Sequence, residues 1–182
     1  MARDTNELDP EDGSATLPSG ARIAAVVSTY HSELVDAMAA SARRTLEERG
    51  LASGDWFEVR APGAYELPLL AQRLAKRGDF DAILCFGLVL RGGTDHDRYI
   101  SNAVSTRLLD VSLEHDVPVM FGVLTPNDLG QARRRARTLA DGGLDKGREV
   151  ALAAIGAIRG LGSIEAERER RKKKGGRGSD GR

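Results

Sequence analysis

The chain has a single cysteine, Cys85. That excludes an intrachain disulfide and any site built from several thiolates. Cys85 lies in the apolar run Ala82-Ile83-Leu84-Cys85-Phe86 and is expected to be a small buried hydrophobe. Excess charge is lacking too. Lys and Arg number 27 and Asp and Glu number 27, so the whole-chain balance favours neither nucleic acid nor an anionic membrane. The longest apolar stretches are too short to span a bilayer. The first residues are acidic and lack the charged-then-apolar order of a signal peptide, so the cytoplasm is the expected compartment. Aromatic residues make up only 4%: Tyr30, Trp56, Phe57, Tyr65, Phe80, Phe86, Tyr99 and Phe121. Their scarcity makes each position informative. No G-x-G-x-x-G follows the first apolar run and no Walker lysine follows a glycine-rich loop. The strand-end aspartates of a phospho-receiver domain are missing, as is any His/Asp/Glu cluster with metal-ligand spacing. No metal or other cofactor is expected.

What is present fits one domain with two tails. Residues 1–20 carry Asp4, Glu7, Asp9, Glu11 and Asp12 without periodicity, and are expected to be a disordered acidic tail. Residues 163–182 are expected to be a disordered basic tail, with Arg168, Arg170, Arg171, Lys172, Lys173 and Lys174 before a glycine-rich end. The plain reading of that tail is a solvated, fraying helix end. The sharper one is an arm for nucleic acid or another polyanion, or for the acidic segment of a neighbouring copy.

Residues 21–162 alternate between two periodicities. Apolar runs at 22–28, 56–60, 82–90 and 118–124 read as strands. Apolar residues at helical spacing occupy 33–49, 66–77, 99–114 and 145–158, and Asn127 is the expected cap of a further helix, with Asp128 favourable at its positive end. Near-continuous apolar strands alternating with helices imply a parallel sheet covered on both faces. A three-layer α/β/α sandwich with a four-stranded parallel, flavodoxin-like sheet follows. Ligands in such folds bind beyond the carboxyl ends of the strands, which directs attention to four loops.

The first reads Ser28-Thr29-Tyr30-His31. Tyr30 can offer its face to a flat heterocycle or cap the edge of the core. In Ala61-Pro62-Gly63-Ala64-Tyr65-Glu66, Gly63 permits close backbone approach, and Glu66 either serves the helix dipole or accepts hydrogen bonds from a ligand. Arg91-Gly92-Gly93-Thr94-Asp95-His96 joins two glycines, a threonine and a helix start into a candidate anion cradle, with His96 able to exchange protons near neutral pH. The last region holds Arg133, Arg134, Arg135 and Arg137, then Lys146. It reads as a solvated basic face from which one arginine can fork onto a phosphate.

Taken in order, these segments resemble the lumazine synthase family over about residues 22–158. Val27-Ser28-Thr29-Tyr30-His31 is similar to the family's Val-Ser-x-aromatic-His, and Pro62-Gly63-Ala64-Tyr65-Glu66-Leu67-Pro68 to its Pro-Gly-Ala-Phe-Glu-Leu-Pro. Gly87-Leu88-Val89-Leu90-Arg91-Gly92-Gly93-Thr94-Asp95-His96 resembles Gly-x-Val-Ile-Arg-Gly-x-Thr-Pro-His. Val117-Pro118-Val119-Met120-Phe121-Gly122-Val123-Leu124-Thr125, Gln131-Ala132-Arg133-Arg134-Arg135-Ala136 and Asp145-Lys146-Gly147 follow in family order. The chain departs from the pattern at Asp95-His96-Asp97-Arg98-Tyr99, where the family commonly has Pro-His-Phe-Asp-Tyr, and at Arg137, where it has glycine. A carboxylate on each side of His96 would favour its charged form if close enough.

The resemblance implies a cofactor-free condensation in riboflavin biosynthesis. 5-Amino-6-(D-ribitylamino)uracil and 3,4-dihydroxy-2-butanone 4-phosphate would give 6,7-dimethyl-8-ribityllumazine, releasing phosphate and water. By the same resemblance Tyr30 would stack on the pyrimidine. Ala64, Tyr65 and Glu66 would hold the ribityl chain and ring edge, and Val89 and Leu90 would offer backbone contacts. Gly93, Thr94 and Arg135 would grip the phosphate, and His96 would shuttle protons. Phe121 would close the pocket from a neighbouring subunit, and Lys146 would face the substrates. The implied assembly is a homopentamer, or several pentamers, with shared sites. Two rival readings are a paralogue that binds flavin or lumazine without turnover, and a shell-forming structural protein.

Overall fold

Every residue of β1 (Ile23–Ser28) is buried, as is every residue of β3 (Ala82–Leu88). A strand without a solvent face belongs inside a sheet covered on both sides. The computed structural model, which describes residues 15–175, places these two strands side by side at the sheet centre. β2 (Trp56–Ala61) flanks β1, and β4 (Val119–Leu124) flanks β3, giving the order β2-β1-β3-β4 with all pairs parallel. The period of two in each central strand sorts its side chains between two cores. Ile23, Ala25, Val27, Leu84 and Phe86 meet α1 (Ser32–Glu48), α4 (Leu129–Ala136) and α5 (Lys146–Gly175). Ala24, Val26, Ile83 and Cys85 meet α2 (Leu67–Ala75) and α3 (His96–His115) on the other face. This is the expected three-layer, flavodoxin-like sandwich. Burial pushes the Cys85 thiol well above its ordinary range, so it is an inert core residue as expected.

Several boundaries differ from expectation. β3 stops at Leu88 instead of residue 90, although Val89 N–H still donates to the Leu124 carbonyl at 2.8 Å. The chain is already turning toward the ligand end of the sheet there. α3 begins at His96, three residues earlier than expected, so the candidate proton shuttle occupies a first helical turn. Asp128, and not Asn127, caps α4. Its carboxylate accepts from Gln131 N–H at 2.8 Å, while the Gln131 side chain accepts from Asn127 N–H at 3.2 Å. Glutamine three residues past the cap thus reaches the N–H just ahead of the cap, a variant of the capping box.

Ordered structure extends past both ends of the 21–162 stretch. Leu17 is buried, its N–H donates to the Arg49 carbonyl at 2.9 Å, and Arg49 Nη1 donates to the Ala15 carbonyl at 3.1 Å. Residues 15–20 therefore belong to the folded body, while the acidic segment 4–12 lies outside the described residues. At the other end α5 runs unbroken through the boundary expected at 162, carrying the basic cluster on a helix. Spaced Glu–Arg and Glu–Lys pairs along this stretch support helix where composition alone suggests a loose tail. Among the described residues no helix is long and apolar enough to cross a membrane.

Candidate active site

β1 and the flanking β2 end at one rim, and the loops that leave them are tied together. Thr29 N–H donates to the Ala61 carbonyl at 2.8 Å, and Thr29 Oγ1 donates to the Pro62 carbonyl at 3.0 Å. Tyr30 N–H donates back to Ser28 Oγ at 3.2 Å. These bonds hold the loop after β1 against the loop after β2 and leave the Tyr30 ring 66% exposed. The following residue, His31, caps α1 in the left-handed region at φ 56°, ψ 44°. Its ring meets Tyr30 edge to face at 4.7 Å between centroids. A non-glycine residue in that region is uncommon, and His is among the types that tolerate it.

A cleft of about 560 Å³ opens between these loops and the one after β3. Tyr30, Ala64, Tyr65, Val89, Leu90, Thr94 and His96 all border it. Ala64 and Val89 form buried walls, whereas Tyr65 is 66% exposed at the lip. A second hollow runs on along α3, sharing Tyr65, His96 and Ile100 with the first, so His96 stands on the ridge between them. The carboxylates flanking His96 have other partners. Asp95 pairs with Arg98 at 3.7 Å, and Asp97 Oδ1 accepts from Gly92 N–H at 3.5 Å. Among the described residues no three His, Cys, Asp or Glu side chains form a metal-sized cluster.

The remaining candidates lie elsewhere in the chain. Gly93 sits one residue from Thr94 and does not border the cleft. Glu66 is half-buried, with its Oε2 3.2 Å from where a Cβ on Gly63 would stand, so it reaches back toward the cleft wall. Phe121 lies in the edge strand β4, 37% exposed and opposite Cys85 in register, away from this cleft. Arg135 is exposed on α4, across the sheet from α3. Lys146 opens α5, half-buried, with its Nζ 2.6 Å from Glu149 Oε1. One chain therefore assembles the wall and His96, but not Phe121, Arg135 and Lys146.

Three residues gain weight from the structure alone. His31 borders the cleft and packs on Tyr30, and Arg91 borders it from the loop after β3. Asp145 is buried. It accepts from Ser41 Oγ at 2.6 Å and from Arg148 N–H at 3.0 Å, pinning the start of α5 to α1. An aspartate just ahead of a helical pattern is the signal that could have marked it as a cap.

A parallel α/β sandwich with a cleft beyond the carboxyl ends of its strands defines a flavodoxin-like α/β protein with a candidate ligand site. Within that class, the family described as 6,7-dimethyl-8-ribityllumazine synthase matches residues 20–161, and the chain belongs to that family.

Proposed function

We propose that the chain catalyses the family's condensation of 5-amino-6-(D-ribitylamino)uracil with 3,4-dihydroxy-2-butanone 4-phosphate. The observation that carries this reading is the convergence of Tyr30, Ala64, Tyr65, Val89, Leu90, Thr94 and His96 on one cleft from three separate loops. An exposed tyrosine face, buried apolar walls and an imidazole suit a flat heterocycle undergoing proton transfers. Holding two small substrates together removes much of an entropic barrier. Gly92 and Gly93 support the anion cradle in a specific way. Neither has a left-handed φ, and a Cβ on either would meet nothing within 4 Å. The fold does not require glycine there, whereas close approach of a phosphate to the peptide N–H groups does.

The test is to mix the chain with both substrates and follow lumazine absorbance together with released phosphate, which should rise in a one-to-one ratio. Binding of a lumazine analogue without product above the uncatalysed rate would favour the paralogue reading instead. Absence of both would favour a structural shell.

Stacking at Tyr30 has its own consequence. Tyr30→Phe and Tyr30→Trp should keep most pyrimidine affinity, while Tyr30→Ala should lose about 1–3 kcal/mol of it. Calorimetric titration with a ribitylpyrimidine analogue reads this directly, and normal binding by Tyr30→Ala would rule stacking out.

Arg135 and Phe121 would complete the site from an adjacent copy. Exposed apolar side chains support such an assembly: Tyr99 at 73% and Leu113 at 71% on α3, with Phe121 on the neighbouring edge strand. Light scattering should therefore show a particle several times the 19.5 kDa chain, with activity co-fractionating. A fully active monomer would rule out shared sites. If Arg135 grips the phosphate, Arg135→Ala should raise KM for the butanone phosphate far more than for the pyrimidine. Equal rises would count against that role.

A further inference from the structure

We infer that the C-terminal extension of α5 is a docking face for the acidic segment, residues 4–12, of its own chain. From Arg159 to Lys174 every residue of α5 is exposed, and the part beyond Ile164 projects from the folded body. Its three carboxylates are all engaged: Glu165 with Arg168 at 3.4 Å, Glu167 with Arg171 at 2.8 Å and Glu169 with Lys172 at 3.0 Å. Six cations between Arg168 and Lys174 face these three carboxylates. Among the described residues Arg170, Lys173 and Lys174 are left without an ionic partner. Their spacing of three and four residues puts them on one side of the helix. The helix dipole favours Lys173 and Lys174 in the last turn, but it leaves Arg170, further up the helix, unaccounted for.

Two features decide between occupants. Residues 163–174 contain no aromatic side chain on which bases could stack, and the whole chain has no net positive charge to attract nucleic acid. Residues 1–14 supply the complement, with Asp4, Glu7, Asp9, Glu11 and Asp12 against the single cation Arg3. Placement agrees. Ala15 is held at the end of α1 by Arg49. α1 and α5 share one face of the sheet, with Gly147 against Met38, and residues 157–164 of α5 pass the start of β4 at Pro118 and Val119. The chain's beginning and the extension thus leave the same end of the sheet. Asp12 can lie up to ~10 Å from Ala15 and Asp4 up to ~37 Å, at roughly 3.4 Å per residue. The extension beyond Ile164 is only ~15 Å long, at about 1.5 Å per residue.

Zero-length carbodiimide crosslinking of the full chain, read by peptide mass spectrometry, tests this. At about 0.01 M salt, Lys173 or Lys174 should join Glu7, Asp9, Glu11 or Asp12. The links should vanish near 1 M salt, where screening acts within ~3 Å. The Lys146–Glu149 pair serves as the internal control. Arg170→Glu, which leaves both lysines reactive, should cut the tail crosslinks severalfold. In an equal mixture of light and heavy isotope-labelled chains, unfolded and reassembled together so that each particle holds both, the links should join residues of one label. Control links without tail links would overturn the proposal, and so would tail links of which about half join a light chain to a heavy one, the share that random pairing between chains gives. Retention of duplex DNA that is lost in Lys173→Gln/Lys174→Gln, with no tail links, would assign the face to nucleic acid instead.

Discussion

Gly147→Ala is expected to cost about 3 kcal/mol or more of folding stability, read as a fall in the urea midpoint at unchanged slope. A Cβ at residue 147 would stand 2.1 Å from the Met38 carbonyl oxygen and 2.9 Å from Ser41 Cβ. The first of these atoms is backbone, so no rotamer change relieves the clash and α5 must move away from α1. That movement also strains the bond from Ser41 Oγ to the buried Asp145 carboxylate, and an unsatisfied buried group costs about 1–3 kcal/mol more. Against a typical total of about 5–15 kcal/mol the loss is severe. Gly156→Ala is the matched comparison on the same helix. A Cβ there meets nothing within 4 Å, so the change should stabilise by about 0.5–1 kcal/mol through helix propensity alone. Equal effects at the two positions would remove the packing explanation.

His96→Gln should leave folding and pyrimidine binding intact while lowering kcat by about 10²-fold, the lower end of the usual range for a positioned acid–base group. The lower end is expected because His96 is exposed in the first turn of α3, where solvent can partly replace it. Added imidazole should restore part of the rate. A variant with unchanged kcat would show that the cleft works by holding its substrates together and that the imidazole is a bystander. A loss in KM alone, with kcat preserved, would recast His96 as a binding group.

The Arg91–His96 loop illustrates how far local pattern carries. Its two glycines, threonine and histidine suggest an anion cradle beside a proton carrier, and Thr94 and His96 do border the cleft. Pattern also places Asp95 and Asp97 beside His96, yet side-chain geometry turns Asp95 to Arg98 and Asp97 to the Gly92 amide. Adjacency along the chain does not determine which partner a flexible carboxylate finds. His31 shows the reverse case. Its left-handed backbone and its contact with Tyr30 arise where β1 hands over to α1, and no side-chain pattern encodes that junction.

Arg133, Arg134 and Arg135 are equivalent as a composition and all exposed on α4, and only the family resemblance singles out Arg135. Phe121 reads as one more apolar strand residue until the edge position of β4 leaves it 37% exposed. The sequence by itself determined the four strands, the five helices and the burial of β1 and β3. Those features depend on periodicity and on residues a few positions apart, which the chain carries locally. Only the tertiary structure decided that Asp145 ties α5 to Ser41 across 104 residues, that Gly147 must lack a side chain, and that Arg135 and Lys146 stand away from the cleft of their own chain. Contacts of that kind depend on how separate elements pack, and packing is settled by the whole core at once.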